Sequence, residues 1–295
     1  MDEIYHIIYN PYAKRGGAAK YLDAFTALLD RKGKTWTLHK TDKPGHATDI
    51  TRDIIKNGAK YIVIMGGDGT VHEVVNGYTG GDDVVFGILP AGTGNDVASM
   101  LKVPAGIENI EAACLDILEE NVKYVDYIVN ENGKQSLLFF SYGIATQMIL
   151  DMNKYKIKNK LSYYRSLMIN MFKFKAKEYE VTADGKTRKV KADFCALHNC
   201  IYAGGGMHLI DRAVMDDGLA ELFIVEYKGM LRRILNLISI MSKKVHLQPN
   251  VQITPVSSAV IQSFDDGKCC IDGEIYEMNR LKLSVIQKAV KVFGK

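Results

Sequence analysis

The chain has 295 residues, 47% of them hydrophobic and 24% charged, which predicts about two soluble, globular domains with cores of their own. A net charge of +4 gives no general pull toward nucleic acid, and no apolar run reaches the ~20 residues of a membrane span. The five cysteines (Cys114, Cys195, Cys200, Cys269, Cys270) are odd in number, scattered and without a CxxC pair, which argues against a disulfide framework or a zinc site and predicts reduced core thiols in a cytosolic protein.

The first residues, MDEIYHIIYN, lack the basic-then-apolar order of a secretory signal and read as a strand, Ile4–Tyr9. A helix over Ala18–Lys32 follows, with Leu22, Phe25, Leu28 and Leu29 on one face. Strand Thr35–Lys40, a helix over His46–Asn57, strand Tyr61–Met65, a helix from Val71, strand Val84–Leu89 and a helix from Asn95 continue the alternation. Strands alternating with helical patterns predict a parallel α/β sheet, here a domain over residues 1–125. Near Asp126 the pattern changes. Strands are expected over Lys123–Asn130, Gln135–Ser141, Glu178–Ala183, Arg188–Asn199 and Ala220–Tyr227. Further strands are expected over Val251–Thr254, Ser257–Phe264, Lys268–Ile271 and Arg280–Val285, with helices near Leu161–Lys175 and Met230–Met241. Asn132-Gly133, Asp184-Gly185 and Asp266-Gly267 fit hairpin turns. Residues 126–295 are therefore expected to form an antiparallel β domain, whose last residues can pack back on the first.

Two stretches carry the chemistry. In YIVIMGGDGTVHEVVN (Tyr61–Asn76) a β-branched strand runs into Gly66, Gly67, Asp68, Gly69 and Thr70 before a helix opens. Glycines let the main chain approach an anion, and the N–H groups at the helix start form a socket for phosphate. Asp68 adds a carboxylate where a nucleotide would bring a cation. The second stretch, VVFGILPAGTGNDVASML (Val84–Leu101), repeats strand, glycine turn and helix, capped by Asn95 or Asp96. Two such units place small and acidic residues at the ends of neighbouring strands, which predicts one nucleotide crevice.

GGDGT with Glu73 and Asn76, PAGTGND (Pro90–Asp96), and a late DGE (Asp272–Glu274) resemble the catalytic domain of bacterial lipid kinases, the diacylglycerol kinase family and its sphingosine and phosphatidylglycerol kinase relatives. Asn10-Pro11, Thr41, Gly204–Met207 and Asp217-Gly218 fit the same order, so the resemblance spans nearly the whole chain. GGDGT alone is also similar to NAD kinases and phosphofructokinases; the three motifs in series are much more specific. The resemblance implies an NAD kinase/diacylglycerol kinase-like first domain, a β-sandwich-like second domain, and transfer of the γ-phosphoryl of ATP to diacylglycerol. Another lipid acceptor, NAD phosphorylation, or a non-catalytic nucleotide- or lipid-binding role are the competing readings.

By the same resemblance Glu274 is the general base, able to take the proton of a lipid hydroxyl as the phosphorus–oxygen bond forms, and Asp272 orients it. Asp68 and Asp96 are candidates for the catalytic carboxylate network, organising either Mg²⁺ or the acceptor hydroxyl. Asn10, Lys14, Thr41, Gly66, Gly67, Asp68, Gly69, Thr70, Glu73, Gly92 and Thr93 line the nucleotide. Asp217, with carbonyls of Val214 and Leu219, holds a structural Mg²⁺. Where the family usually has proline after GGGM, this chain has Asp211, which bears on that metal loop. From composition alone, Asp272-Gly273 and Asp217-Gly218 read first as turns, and Glu73 as a capping or packing residue.

Asn153–Lys177, NKYKIKNKLSYYRSLMINMFKFKAK, holds seven lysines, one arginine and no acidic residue, interleaved with aromatics and methionines. With Lys228–Lys244 it suits an anionic membrane surface, though it equally fits an ordinary solvated basic face. The expected partners are a lipid substrate at the membrane surface and no nucleic acid, with a homodimer left open. The expected location is the cytoplasm, at the inner face of the membrane.

Overall fold

The computed structural model describes residues 3–13, 17–80, 83–152, 160–204 and 206–294. Two compact units emerge, Met1–Val125 with Lys288–Lys295, and Asp126–Gln287.

The first unit alternates strictly: β1 (Tyr5–Tyr9), α1 (Ala18–Arg31), β2 (Trp36–Lys40), α2 (His46–Lys56), β3 (Tyr61–Gly66), α3 (Asp68–Val75), β4 (Val85–Pro90), α4 (Asp96–Met100) and α5 (Ile110–Leu118). The strands pair in parallel in the order β2-β1-β3-β4. β3 and β4 are apolar and buried along almost their whole length, as central parallel strands covered on both faces must be. β2, at the edge, is mostly exposed. Tyr21, Phe25, Leu28 and Leu29 of α1 and Ile110, Cys114 and Ile117 of α5 pack on Tyr5, Ile7, Val63 and Leu89. Each large side chain so buried contributes ~1.5–3 kcal/mol. From β1 the chain runs outward to β2 and then returns to β3 on the other side, so the direction of winding reverses between β1 and β3. Their carboxyl ends are where an open parallel sheet leaves a crevice.

The second unit contains most of β5 (Val122–Asn130), then β6 (Gln135–Ser136), β7 (Phe139–Gly143), α6 (Ile144–Met152), α7 (Lys160–Lys173), β8 (Lys177–Ala183) and β9 (Lys186–His198). It continues with β10 (Tyr202–Ala203), β11 (Met207–His208), β12 (Ala220–Glu226), α8 (Met230–Met241), β13 (Val251–Val256), β14 (Ser258–Ser263), β15 (Lys268–Ile271), β16 (Glu274–Glu277) and most of β17 (Arg280–Phe293). Pairing is antiparallel throughout. β9 is the spine: its first half pairs β8, and its second half pairs β7 on one edge and β12 on the other. Period-two alternation divides the side chains. Cys195, Leu197, Leu222 and Ile224 join one core with Tyr142, Tyr179 and Ile261. Phe194, Ala196, Phe223 and Val225 join a second on the opposite face, where α6, α7 and α8 pack.

Three expectations are corrected. α3 begins at Asp68 rather than Val71, with extended Gly67 as its cap, so Asp68, Gly69 and Thr70 form its first turn. The helix expected from Asn95 is present as the short α4, with Asn95 at its N-cap, and a separate α5 follows it. The strand expected over Gln135–Ser141 breaks at Leu137-Leu138, because the N–H groups of Leu138 and Phe139 turn to the Asp272 carboxylate. Asp266-Gly267 is not a hairpin: β14 and β15 do not pair with each other, and Gly267 carries the chain from one set of partners to another. Asp184-Gly185 does close the β8–β9 hairpin, with both residues at positive φ.

Candidate active site

The two glycine turns meet in the first unit. A Cβ on Gly92 would lie 2.4 Å from the Cα of Gly67, and one on Gly67 would lie 2.9 Å from the Cα of Gly92. Only glycine at both positions allows main chain to pack on main chain here. A Cβ on Gly66 would likewise strike Thr70. Asn95, at φ 58°, closes the second turn by accepting the Gly92 N–H at 2.8 Å. Two turns far apart in sequence thus form one continuous loop surface at the sheet's carboxyl edge.

Asp68 faces the start of α4, where its Oδ1 accepts the Val97 N–H at 3.2 Å. Burial pushes its carboxyl up to about 7, and the neighbouring Asp96 carboxylate adds to the shift against hydrogen bonds from 95–97. Asp96 itself is buried, 3% exposed. Two carboxylates this close keep a proton unless a cation replaces it, so the donor chemistry fits a magnesium ion brought with a nucleotide. Such an ion would depend on water for most of its shell, as Mg²⁺ commonly does. No group of three or more His, Cys, Asp or Glu side chains able to hold a metal occurs among the described residues.

α3, which begins at Asp68, also contributes Thr70 and Glu73 to a polar cleft of ≈ 640 Å³, open to solvent, lined further by Asn10, Tyr12, Thr41, Asp42, Lys43 and Pro44. The cleft gathers four of the residues the sequence assigned to a nucleotide. Asn10 spans the switch point, donating from Nδ2 to Thr70 Oγ1 at 3.0 Å. Thr41 is buried and its N–H bonds the Tyr9 carbonyl at 2.9 Å. Glu73 Oε2 accepts the Ala47 N–H at 3.1 Å and so caps α2. Thr93 is exposed and Gly69 half-buried on the same loops. Lys14 lies outside the described residues. Tyr12, 74% exposed, and Lys43 are cleft residues the sequence reading missed; an aromatic and a cation just after strand ends were the available signal.

In the second unit Asp272 and Gly273 form the two-residue turn that closes β15 on β16 just before Glu274, with Asp272 at φ 50° and Gly273 at φ 96°. Asp272 is 8% exposed. Its Oδ1 accepts Ser136 Oγ at 2.5 Å, Leu138 N at 3.2 Å and Phe139 N at 3.0 Å, which fixes the turn to the β6–β7 bend. Glu274 is exposed on the first residue of β16, aligned opposite Ile271. One carboxylate is thus anchored and the other presented.

The loop before β12 carries Asp217, whose Oδ1 accepts the Leu219 N–H at 3.0 Å; Val214, Asp217 and Leu219 are all exposed. One carboxylate among exposed main chain suits a water-rich Mg²⁺. Two acidic residues there escaped the sequence reading. Asp126, fully buried, accepts the Gly218 N–H at 2.7 Å. Glu221 has its pKa raised by burial first, with Asp217 adding to it. Asp211 turns to His246 and, at 3.8 Å, to His208.

An apolar cavity lies within this unit, between the second face of the sheet and helices α6, α7 and α8, with ≈ 930 Å³ of empty space including its open mouth. Phe194, Phe223, Met148, Leu167, Met171 and Leu237 make it apolar. Arg233 stands in its wall, paired with Asp193 at 2.5 and 3.1 Å and bonded to the carbonyls of Met171 and Phe174 at 2.8 and 2.9 Å. It ties the C-terminus of α7 to α8 and β9.

Residues 5–129 match the diacylglycerol kinase catalytic domain family, and residues 140–294 match the YegS C-terminal NAD kinase beta sandwich-like domain. A diacylglycerol kinase of Bacillus subtilis (strain 168) is 26% identical over 274 residues, covering 91% of this chain and 88% of its own. One from Staphylococcus saprophyticus is 28% identical over 271 residues, with 91% and 88% covered. A crystal structure of a diacylglycerol kinase from Bacillus anthracis superposes with a TM-score of 0.82 at 24% identity, covering 100% of this chain and 97% of that one, which speaks for the fold.

Proposed function

Because the chain belongs to the diacylglycerol kinase catalytic-domain family and is a lipid kinase, we propose that it transfers the γ-phosphoryl group of ATP to the hydroxyl of diacylglycerol, giving phosphatidic acid. The observation that carries the reading is the coexistence of a polar cleft at the glycine-turn end of the first unit, which also holds the Asp68–Asp96 pair, with an apolar cavity in the second.

Gly66, Gly67 and Gly92 let the two turns pack main chain on main chain, and the start of α3, at Asp68 and Gly69, offers N–H groups to the phosphates' charge. Asn10, Thr41 and Thr70 hold the nucleotide in the cleft, with Lys43 over its anionic part. Asp68 and Asp96 would hold the magnesium ion that neutralises the transferring group. Asp217 would hold a second, structural one. Glu274 takes the proton of the acceptor hydroxyl, while Asp272 keeps its turn in place through the three bonds to the β6–β7 bend.

The lipid is delivered from a membrane surface. No helix among the described residues is long and apolar enough to cross a membrane. α8 instead lines the cavity with Leu237 and exposes Leu231, Leu235, Ile238 and Met241 on its other side, bracketed by Lys228, Lys243 and Lys244. An apolar stripe with a cationic border suits an anionic bilayer at the cytoplasmic face. Of Asn153–Lys177, residues 153–159 lie outside the described residues; α7 adds exposed Met168 and Phe172.

The test is transfer of radiolabelled phosphate from ATP to a panel of lipids in mixed micelles. Diacylglycerol should label best, and labelling of phosphatidylglycerol or a sphingoid base in its place would move the acceptor.

A further inference from the structure

Two polar side chains in the wall of the apolar cavity have no part in the phosphoryl transfer described above. His198, the last residue of β9, is fully buried (0% exposed), with Phe139 stacked on its ring at 4.8 Å and Phe223 edge-on at 6.0 Å. Its Nε2 is buried and makes no hydrogen bond. Asn236, on α8, is 4% exposed, and both its Oδ1 and its Nδ2 lack a partner. Both residues line the cavity. The charged residues of the wall, Arg233 and Asp193, satisfy each other. Buried polar groups are almost always hydrogen-bonded, and an unpaired one in an apolar enclosure is unfavourable until a ligand completes it.

The chemistry of the missing partner follows from the ring. Burial lowers the His198 pKa to about 3, so the imidazole is neutral. Its Nδ1 lies 3.8 Å from Cys200 Sγ, whose own S–H is directed at the Tyr202 carbonyl at 2.9 Å, so the sulfur stands as acceptor for the ring. Since Nε2 is the nitrogen without a partner, Nδ1 carries the hydrogen; this tautomer is assigned from the bonding pattern. Nε2 therefore faces the cavity as a bare acceptor. Asn236 offers one more acceptor and a donor.

We propose that the cavity takes an acyl chain bearing a hydroxyl group of its own, received by His198 Nε2 and flanked by the Asn236 carboxamide, and that these two residues set the lipid specificity. The hydroxyl that is phosphorylated is a different group, because it has to meet Glu274, which is exposed and does not line the cavity. A plain hydrocarbon chain would leave three buried polar atoms unpaired, whereas sites built around a substrate hydroxyl discriminate strongly against analogues without it. The proposal rests on the lipid-kinase reading only in taking this cavity as the acyl-chain site.

Binding is measured without ATP, by displacement of a fluorescent fatty acid from the full chain. The competitors are stearate and a series of hydroxystearates with the hydroxyl at successive carbons. One hydroxyl position should bind about tenfold or more tighter than stearate. His198→Phe and Asn236→Leu keep size and stacking but remove the polar atoms. Each should retain stearate binding, which reports an intact cavity, and lose the preference. Equal binding of all competitors to the parent, or an undiminished preference in both variants, overturns the proposal. Failure of every fatty acid to compete overturns the acyl reading of the cavity with it. Preference intact with no lipid phosphorylated overturns the kinase reading alone.

Discussion

The glycine-turn crevice of the first unit and the helix-covered cavity of the second are built on opposite principles. The crevice is main chain: N–H groups, glycines in contact, and two acidic side chains held in unfavourable proximity. The cavity is side chain: an alternating apolar face roofed by three helices, with its charge neutralised internally by Arg233 and Asp193. The first tolerates little change in shape and the second little change in charge. Charge tension at the crevice and charge satisfaction at the cavity should respond oppositely to mutation.

The sharpest division concerns chemistry. Glu274→Gln removes the proton acceptor from an exposed turn and should lower kcat on lipid by ~10²–10⁴-fold with nucleotide binding and thermal stability unchanged. Steady-state kinetics at saturating ATP and lipid check this; near-normal kcat with a dead Asp272→Asn would move the base to Asp272. Next is the cavity wall. Arg233→Leu leaves Asp193 a buried, unpaired carboxylate and frees the end of α7, and should cost about 3–5 kcal/mol in denaturant unfolding. A loss under about 1 kcal/mol would mean the pair behaves as a surface ion pair.

Shape at the crevice is tested by Gly92→Ala. Its Cβ meets Gly67 main chain, which has no rotamer to give way, and about 1–3 kcal/mol should be lost together with nucleotide affinity. Tolerance there would show the turns are not in contact. Charge at the crevice has the opposite sign. The Asp68 carboxyl sits at about 7 in the folded chain against its ordinary value of 3.8, so between those values the folded state holds more protons than the unfolded one. Stability therefore falls as pH rises through that window. Asp68→Asn keeps the acceptor for Val97 but not the charge. It should abolish transfer yet raise stability by about 1–2 kcal/mol above pH ~7, with no gain below pH ~4. Melting curves in EDTA at both ends of the window decide it, and a variant that is less stable at pH 8 would contradict the tension. The smallest effect falls outside both sites. Leu231→Ser with Ile238→Ser should weaken co-sedimentation with anionic vesicles several-fold and leave the unfolding free energy within about 0.5 kcal/mol of the parent, both side chains being exposed. Unchanged vesicle binding would return α8 to an ordinary solvated face.

The sequence alone determined the alternating elements of the first unit, because its inner strands β1, β3 and β4 are near-continuous buried runs and each motif is local. GGDGT and PAGTGND could be placed at strand ends from the residues themselves, and Met230–Met241 as a helix from its apolar spacing. In the second unit the strands were legible but not their partners, since period-two alternation sets which face a residue takes and not which strand lies beside it. The broken strand at Leu137-Leu138 and the turn at Asp266-Gly267 were decided by Asp272 and by partners far along the chain. Asp126, Tyr12, Lys43, Arg233 and His198 belong to no motif; their roles come from distances across the fold. Local backbone preference and periodicity are written residue by residue, whereas the pairing of buried polar groups depends on which segments meet, and only the tertiary structure decides that.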